Sequence, residues 1–226
     1  MEGERKRSRR SYSAPKREAA AERTQAAILA AAKTSFEERG WAGATVRHIA
    51  AEAAVSPKTV EAIYGTKAKL LAATVTYAIR GDVRPLGMLR RAHILAMEDV
   101  PTAAEMLERH AEHLRRVNER SAGIAFVVEQ AARTDAQVRL LWDQMNHNRR
   151  VGVRWATRTL LSKPQTSHLE PRWVKPVFLV AFDWGTYRVL TEVAGLSAAR
   201  YEDWLKGYYR KMFLRGDRSL HDERGR

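Results

Sequence analysis

Apolar residues in this chain recur every three or four positions, and nowhere do they alternate long enough to suggest a strand. Ile28, Leu29, Ala32 and Phe36 fall on one stripe of residues 22–39, which predicts a helix closed by Gly40. Thr45 can cap a short second helix with Val46, Ile49, Ala50 and Ala53 facing inward. Ala54 and Val55 make a tight turn. Ser56 followed by Pro57 opens a third helix, with Val60, Ile63 and Tyr64 available to a core and Gly65 as its stop. Thr66 opens a longer fourth helix carrying Leu70, Leu71, Val75 and Ala78.

The rest reads as helix after helix. Residues 81–101 are irregular, broken by Pro85, Gly87 and Pro101, with room for one short helix. Thr102 and Glu105 form a capping box for a helix to about residue 118, and another covers residues 121–133. Asp135 caps a long helix ending near residue 161, and a polar loop covers 162–171. Two more helices, 172–194 and 197–215, are separated by Gly195, and Pro176 falls near the start of the former. The fold class is therefore all-α. Residues 1–20 read as a disordered basic arm and 216–226 as a disordered tail.

Composition narrows the function. Of the 226 residues 45% are hydrophobic, enough for a substantial core, and there is no cysteine, which removes disulfides and thiolate chemistry. No apolar run reaches the roughly 20 residues that a membrane span needs, so a cytoplasmic protein with no membrane partner is expected. The net charge of +14 favours polyanionic partners. Residues 1–80 and 81–226 each carry a net +7, so the shorter first part is the more densely charged.

Lysine placement is more telling than total charge. Lys58 follows the Ser56 cap, and Lys67 and Lys69 follow the Thr66 cap. A cation at a positive helix start is unfavourable by about 0.3–1 kcal/mol, unless an anion belongs there. A helix, a tight turn and a second helix opening on Ser-Pro make a helix-turn-helix, whose second helix enters the major groove by its N-terminal end. Lys58 would then reach the groove or its phosphate wall. Thr66 and Lys67 would meet a phosphate with free N–H groups and an ammonium.

The segments "ILAAAKTSFEERG", "ATVRHIA", "AVSPKTV" and "YGTK", in this order within residues 23–73, resemble the DNA-binding domain of the TetR (tetracycline-repressor-like) transcriptional regulators. The resemblance implies a three-helix DNA-binding domain, placed here at 21–66, and a larger helical ligand-binding and dimerisation domain at 67–215. It implies that Thr45 and Arg47 meet backbone phosphate, that Pro57 and Lys58 face bases, that Thr59 meets a phosphate or base edge, and that Tyr64 and Lys67 meet phosphate. It further implies that the last two helices pair in a homodimer. Glu61 departs from the family, which usually has an aromatic there; a carboxylate repels phosphate or accepts from a cytosine amino group.

Other features weigh less. His110 and His113 are three apart on a highly charged helix with no third ligand evident, which reads as a solvated face and no metal site. His147, beside Asn146 and Asn148, also reads as surface. Phe126, Trp142, Met145, Trp155 and Phe182 are candidates for a ligand pocket, with Phe178 and Trp184 beside them. No phosphate-binding loop, dinucleotide glycine pattern or catalytic motif is present. The expectation is a non-enzymatic regulator, most simply a repressor, that binds a palindromic operator on double-stranded DNA and answers to an unknown small-molecule effector, with no other cofactor. The alternative is a helical small-molecule-binding protein or enzyme with a basic N-terminal module.

Overall fold

The computed structural model describes residues 2–214, with side chains from Lys16 onward. Ten α-helices cover most of them, and among the described residues there is no strand. In order they are α1 (Glu2–Gly43), α2 (Val46–Glu52), α3 (Pro57–Tyr64), α4 (Lys67–Arg80), α5 (Ala92–Asp99), α6 (Ala103–Ala131), α7 (Ala136–Leu161), α8 (Pro171–Ala181), α9 (Trp184–Arg188) and α10 (Ala198–Tyr209). Short 3-10 turns lie at Met88–Arg90 and Pro164–Thr166, and π turns at Val189–Val193 and Arg210–Leu214. Among the described residues no helix is long and apolar enough to cross a membrane.

The chain divides into two compact units. The first runs to Pro85 and takes in Gly123–Leu141; the second holds Leu86–Ala122 and the chain from Trp142 on. The fourth helix therefore belongs with the N-terminal unit, and the boundary lies beyond the residue 66 expected from the sequence. The helical backbone of α1 begins at Glu2, in a stretch that the sequence reading makes a disordered arm. The tail at 216–226 lies outside the described residues.

In the first unit α1 packs on α2 and α4, and α3 bridges α2 and α4. Ile28, Ala32, Phe36, Ile49, Ala50, Val60, Leu70 and Leu71 fill the core, all at 1% exposure or less. Gly40 interrupts α1 with φ at 66°, a conformation glycine adopts without a Cβ clash. The stripe predicted for residues 22–39 thus ends where expected, and three further helical residues follow the kink. Ile63 does not join this core. It is 40% exposed, because Val60 and Tyr64, one turn apart, set the inner face of α3 and Ile63 lies off it.

The second unit holds α6 as far as Ala122. The sequence predicts a break near residue 120, but Ser121 turns its hydroxyl back to the Val117 carbonyl at 2.8 Å and the helix runs on. Its polar residues His110, Asn118 and Ser121 are buried. Each meets an aromatic side chain with a polar tip: the Tyr209 hydroxyl at 2.8 Å from His110 Nδ1, the Tyr201 hydroxyl at 3.0 Å from Asn118, and the Trp184 indole at 3.0 Å from Ser121. The solvated face expected for His110 is therefore wrong: this histidine has 0% exposure. Its partners come from far along the chain, and no local pattern announces them.

The helix expected over 172–194 is broken. Phe182 ends α8, and Asp183 caps α9 by accepting from the Thr186 amide at 2.8 Å. Pro176 sits inside α8, whose first residue is Pro171. Gly195, at φ 70°, turns the chain into Ser197, the cap of α10.

Candidate nucleic-acid interface

Three side-chain caps build the local geometry. Thr45 accepts from the His48 amide at 3.2 Å, Ser56 from the Thr59 amide at 3.0 Å, and Thr66 from the Lys69 amide at 3.2 Å. Each fixes where a helix begins and which way its remaining free N–H groups point. Thr59 strengthens the second cap through its own hydroxyl, 2.8 Å from that of Ser56. Pro57 is at the first helical position, as the sequence indicates.

The turn between α2 and α3 closes by two backbone bonds, Ala54 N–H to Ala51 and Val55 N–H to Ala50. Ala54 takes φ 54°, the left-handed conformation that usually falls to glycine at a helix end. The strain of a Cβ there, about 1–2 kcal/mol, is accepted where a helix must stop and the next begin two residues on.

On α3 the exposed positions are Pro57, Lys58, Glu61, Ala62 and Ile63, and Thr59 is half-buried. Pro57 with Glu61, and Lys58 with Ala62, are four-residue pairs, so the open face is a continuous row. Thr45, Arg47, Thr66 and Lys69 are exposed at the starts of α2 and α4. The site expected from the sequence omitted Ala62 and Lys69. The first is legible as the residue one turn after Lys58, the second as the lysine whose amide the Thr66 cap holds.

Two expected phosphate ligands are placed differently. The Lys67 ammonium donates to the Trp41 carbonyl and lies 4.5 Å from the centre of the Trp41 ring. Burial pulls its pKa below the ordinary lysine value, against an upward pull from Asp135. The Tyr64 hydroxyl is buried with no hydrogen-bond partner among the described residues, and desolvation pushes its pKa up to about 12. Tyr64 follows Val60 by one turn and shares its inward face, so the phenol is directed into the unit instead of toward a phosphate.

Of the five pocket candidates, Trp155 and Phe182 come together, both against the His110 ring. Met145 is buried, Trp142 meets Trp184 at 6.5 Å, and Phe126 is exposed and belongs to the N-terminal unit. His147 is exposed. Among the described residues no group of three or more His, Asp or Glu side chains is placed to hold a metal.

Capped helices on both sides of a tight turn, with an open lysine-bearing row on the second, define a helix-turn-helix. Residues 28–74 match the family described as bacterial regulatory proteins, tetR family. No curated protein matches the chain. Over most of the chain the fold is similar to that of several solved structures. One, a TetR-like transcriptional regulator from Rhodococcus sp. RHA1, is 21% identical with a TM-score of 0.58, covering 86% of this chain and 97% of its own. Another from Rhodococcus sp., described as a TetR-family transcriptional regulator, is 19% identical with a TM-score of 0.63, covering 85% and 99%. A transcriptional regulator from Saccharomonospora viridis, solved in complex with choline, is 16% identical with a TM-score of 0.59, covering 84% and 96%.

Proposed function

We infer that the protein is a cytoplasmic, homodimeric transcription regulator that represses by occupying a palindromic operator and releases it when a small molecule binds the second unit. The observation that carries this reading is the open row Pro57, Lys58, Glu61 and Ala62 on a helix whose start is fixed by Ser56. Lys58 and Lys69 offer ammonium groups beside two helix N-termini, and a duplex phosphate would turn that unfavourable placement into an attractive one. Two such helices in a dimer read half-sites about 34 Å apart, one helical turn, or a multiple of it.

Dimerisation is supported by apolar side chains left open near the C-terminal end of the second unit. Val189 is 57% exposed and Val193 80%, and Leu179, Val180 and Met212 are exposed too. Small-molecule response is supported by the helical fold shared with the Saccharomonospora viridis regulator that was solved with choline. Selection of a preferred duplex from a random pool, followed by gel shift, tests the reading. A palindromic site bound with a steep salt dependence is expected, and Lys58→Ala should abolish the shift at working concentrations. Unchanged binding by Lys58→Ala, or no preferred duplex at all, would refute it.

A further inference from the structure

His110 is the least explained residue of the second unit. Its imidazole is fully buried, and four rings surround it: Phe178 and Phe182 with centroids at 5.2 Å, Tyr209 at 5.7 Å and Trp155 at 6.1 Å. Nδ1 lies 2.8 Å from the Tyr209 hydroxyl. Nε2 is buried with no partner among the described residues.

Proton counting fixes what this orphan is. A neutral imidazole carries one N–H. If that proton sat on Nδ1, the Tyr209 O–H would have nothing to donate to, and Nε2 would be an unmet acceptor. If Tyr209 donates to Nδ1, only one group is left over, an Nε2–H. The second arrangement strands fewer groups, so a buried donor faces the aromatic box without an acceptor. Desolvation drives the His110 pKa down to about 3, which keeps the ring neutral.

One wall of the box is less enclosed than the others. Phe182 is only half-buried, unlike Phe178, Trp155 and Tyr209, and it stands at the break between α8 and α9. Its ring rests on the bare backbone of Gly152 in α7, where a Cβ would come within 2.7 Å of Cε1. The ring fills the space beside His110 without being locked into a helix interior.

Deepening the regulator reading given above, we propose that this box is the effector site: an uncharged, mostly aromatic or apolar molecule displaces the Phe182 ring and accepts a hydrogen bond from His110 Nε2–H through a carbonyl or similar oxygen. Charge is disfavoured by the surroundings. The ionisable group coupled to His110 is His113, which burial also holds neutral. Glu98 lies at the edge of the box, and it accepts from the Trp155 indole and sits 3.8 Å from Arg158. An anion in the box would be buried without a countercharge, and a cation would face the Nε2–H donor while Glu98 is already held by the Trp155 indole.

Histidine and tryptophan side-chain NMR on the full-length protein tests this with four probes of similar bulk. Benzaldehyde has an arene and an acceptor, toluene has no acceptor, benzoate is an anion and choline a cation. Benzaldehyde should move the His110 Nε2 and Trp155 indole resonances saturably and bind about tenfold tighter than toluene, the worth of one buried hydrogen bond. Benzoate and choline should leave both resonances in place. His110→Phe keeps the ring and removes the donor, and should make benzaldehyde and toluene equivalent. Phe182→Ala leaves His110 intact and should tighten benzaldehyde binding, which keeps the idea testable if His110→Phe fails to fold. Equal binding of benzaldehyde and toluene to the wild-type protein, a preference for either ion, or silence of His110 would overturn the proposal. Gel shifts on the selected duplex run in parallel separate the two readings. Lost DNA binding sinks the regulator and leaves the probe result standing, whereas intact DNA binding without a benzaldehyde response sinks only the effector site.

Discussion

The indole of Trp41 donates through Nε1 to Oδ2 of Asp135, 3.1 Å away and 94 positions further along the chain. The other oxygen of that carboxylate caps α7, accepting from the amides of Gln137 at 2.9 Å and Val138 at 3.1 Å. These bonds, led by that from Val138, outweigh desolvation and hold the Asp135 pKa below the usual carboxylate value. Trp41 also stacks on Phe36 at 6.1 Å and lies under the Lys67 ammonium. One indole therefore ties the kink of α1, the start of α4 and the cap of α7 within the first unit. Trp41→Phe keeps the ring and removes the N–H. We expect a lowered melting temperature and faster hydrogen exchange at Gln137 and Val138, with α2 and α3 amides unchanged. Unaltered exchange at those two amides would show that Asp135 caps α7 without help.

Lys58 and Lys67 should separate in their effects, although both follow a cap. Lys58 is exposed, so Lys58→Ala should leave stability within about 0.5 kcal/mol. It should also flatten the slope of log affinity against log salt by about one if the ammonium meets a phosphate. Lys67→Ala removes the bond to the Trp41 carbonyl and the contact with its ring, and should lower stability as well as affinity. Thr66→Ala should cost about 1 kcal/mol by leaving the Lys69 amide uncapped. Urea titrations and gel shifts on the same variants check each. Equal stability of Lys58→Ala and Lys67→Ala would contradict the placement of Lys67.

Acid should destabilise the fold through His110. Its folded pKa is near 3 and its unfolded value near 6.5, so between these pH values the unfolded chain binds a proton that the folded chain refuses. Stability then falls as pH drops through 6.5, by up to about 1.4 kcal/mol per pH unit for this one ring. Above pH 7 both states are neutral at this site and the contribution is flat. Several carboxylates with lowered pKa values, Asp135 and Glu202 among them, act in the same direction. Comparison with His110→Phe isolates the imidazole, since the variant should lose less melting temperature between pH 7 and 5. Parallel curves would mean that His110 is protonated in the fold.

What was legible in the sequence is what local chemistry decides. Thr45, Ser56, Thr66, Thr102 and Asp135 each cap the helix expected of them, because a cap needs only an oxygen and an amide two or three residues on. Gly65 and Gly195 stop helices with positive φ for an equally local reason. Side-chain direction at the interface was less legible. Lys67 turns back because Trp41 offers a carbonyl and a ring, 26 residues earlier, and Tyr64 turns in because α3 is packed by one face. Burial of His110 and Asn118 is not legible in the sequence, since their charged neighbours mask the face that Tyr209 and Tyr201 cover. The Asp183 break is hidden too, because Phe178, Phe182 and Tyr187 keep the apolar pattern running through the cap.

Gly152 and Phe182 offer a test in which two opposing effects can be resolved. Alanine in place of glycine inside α7 gains about 1 kcal/mol of helix propensity. Its Cβ would meet Phe182 Cε1 at 2.7 Å and Cζ at 3.2 Å, and overpacking of this kind costs about 1–3 kcal/mol when the neighbour cannot move. Phe182 is half-buried and outside the regular helices, so its ring can swing away and part of that cost disappears. Gly152→Ala should therefore be near neutral or mildly destabilising in the wild-type background. In a Phe182→Ala background the obstacle is gone, and the same change should stabilise by about 1 kcal/mol. Urea unfolding of the four proteins closes the cycle, and a coupling of about 1 kcal/mol or more is expected for side chains in contact. Additive effects would mean that the ring does not rest on Gly152, and would remove the less enclosed wall from the His110 box as well.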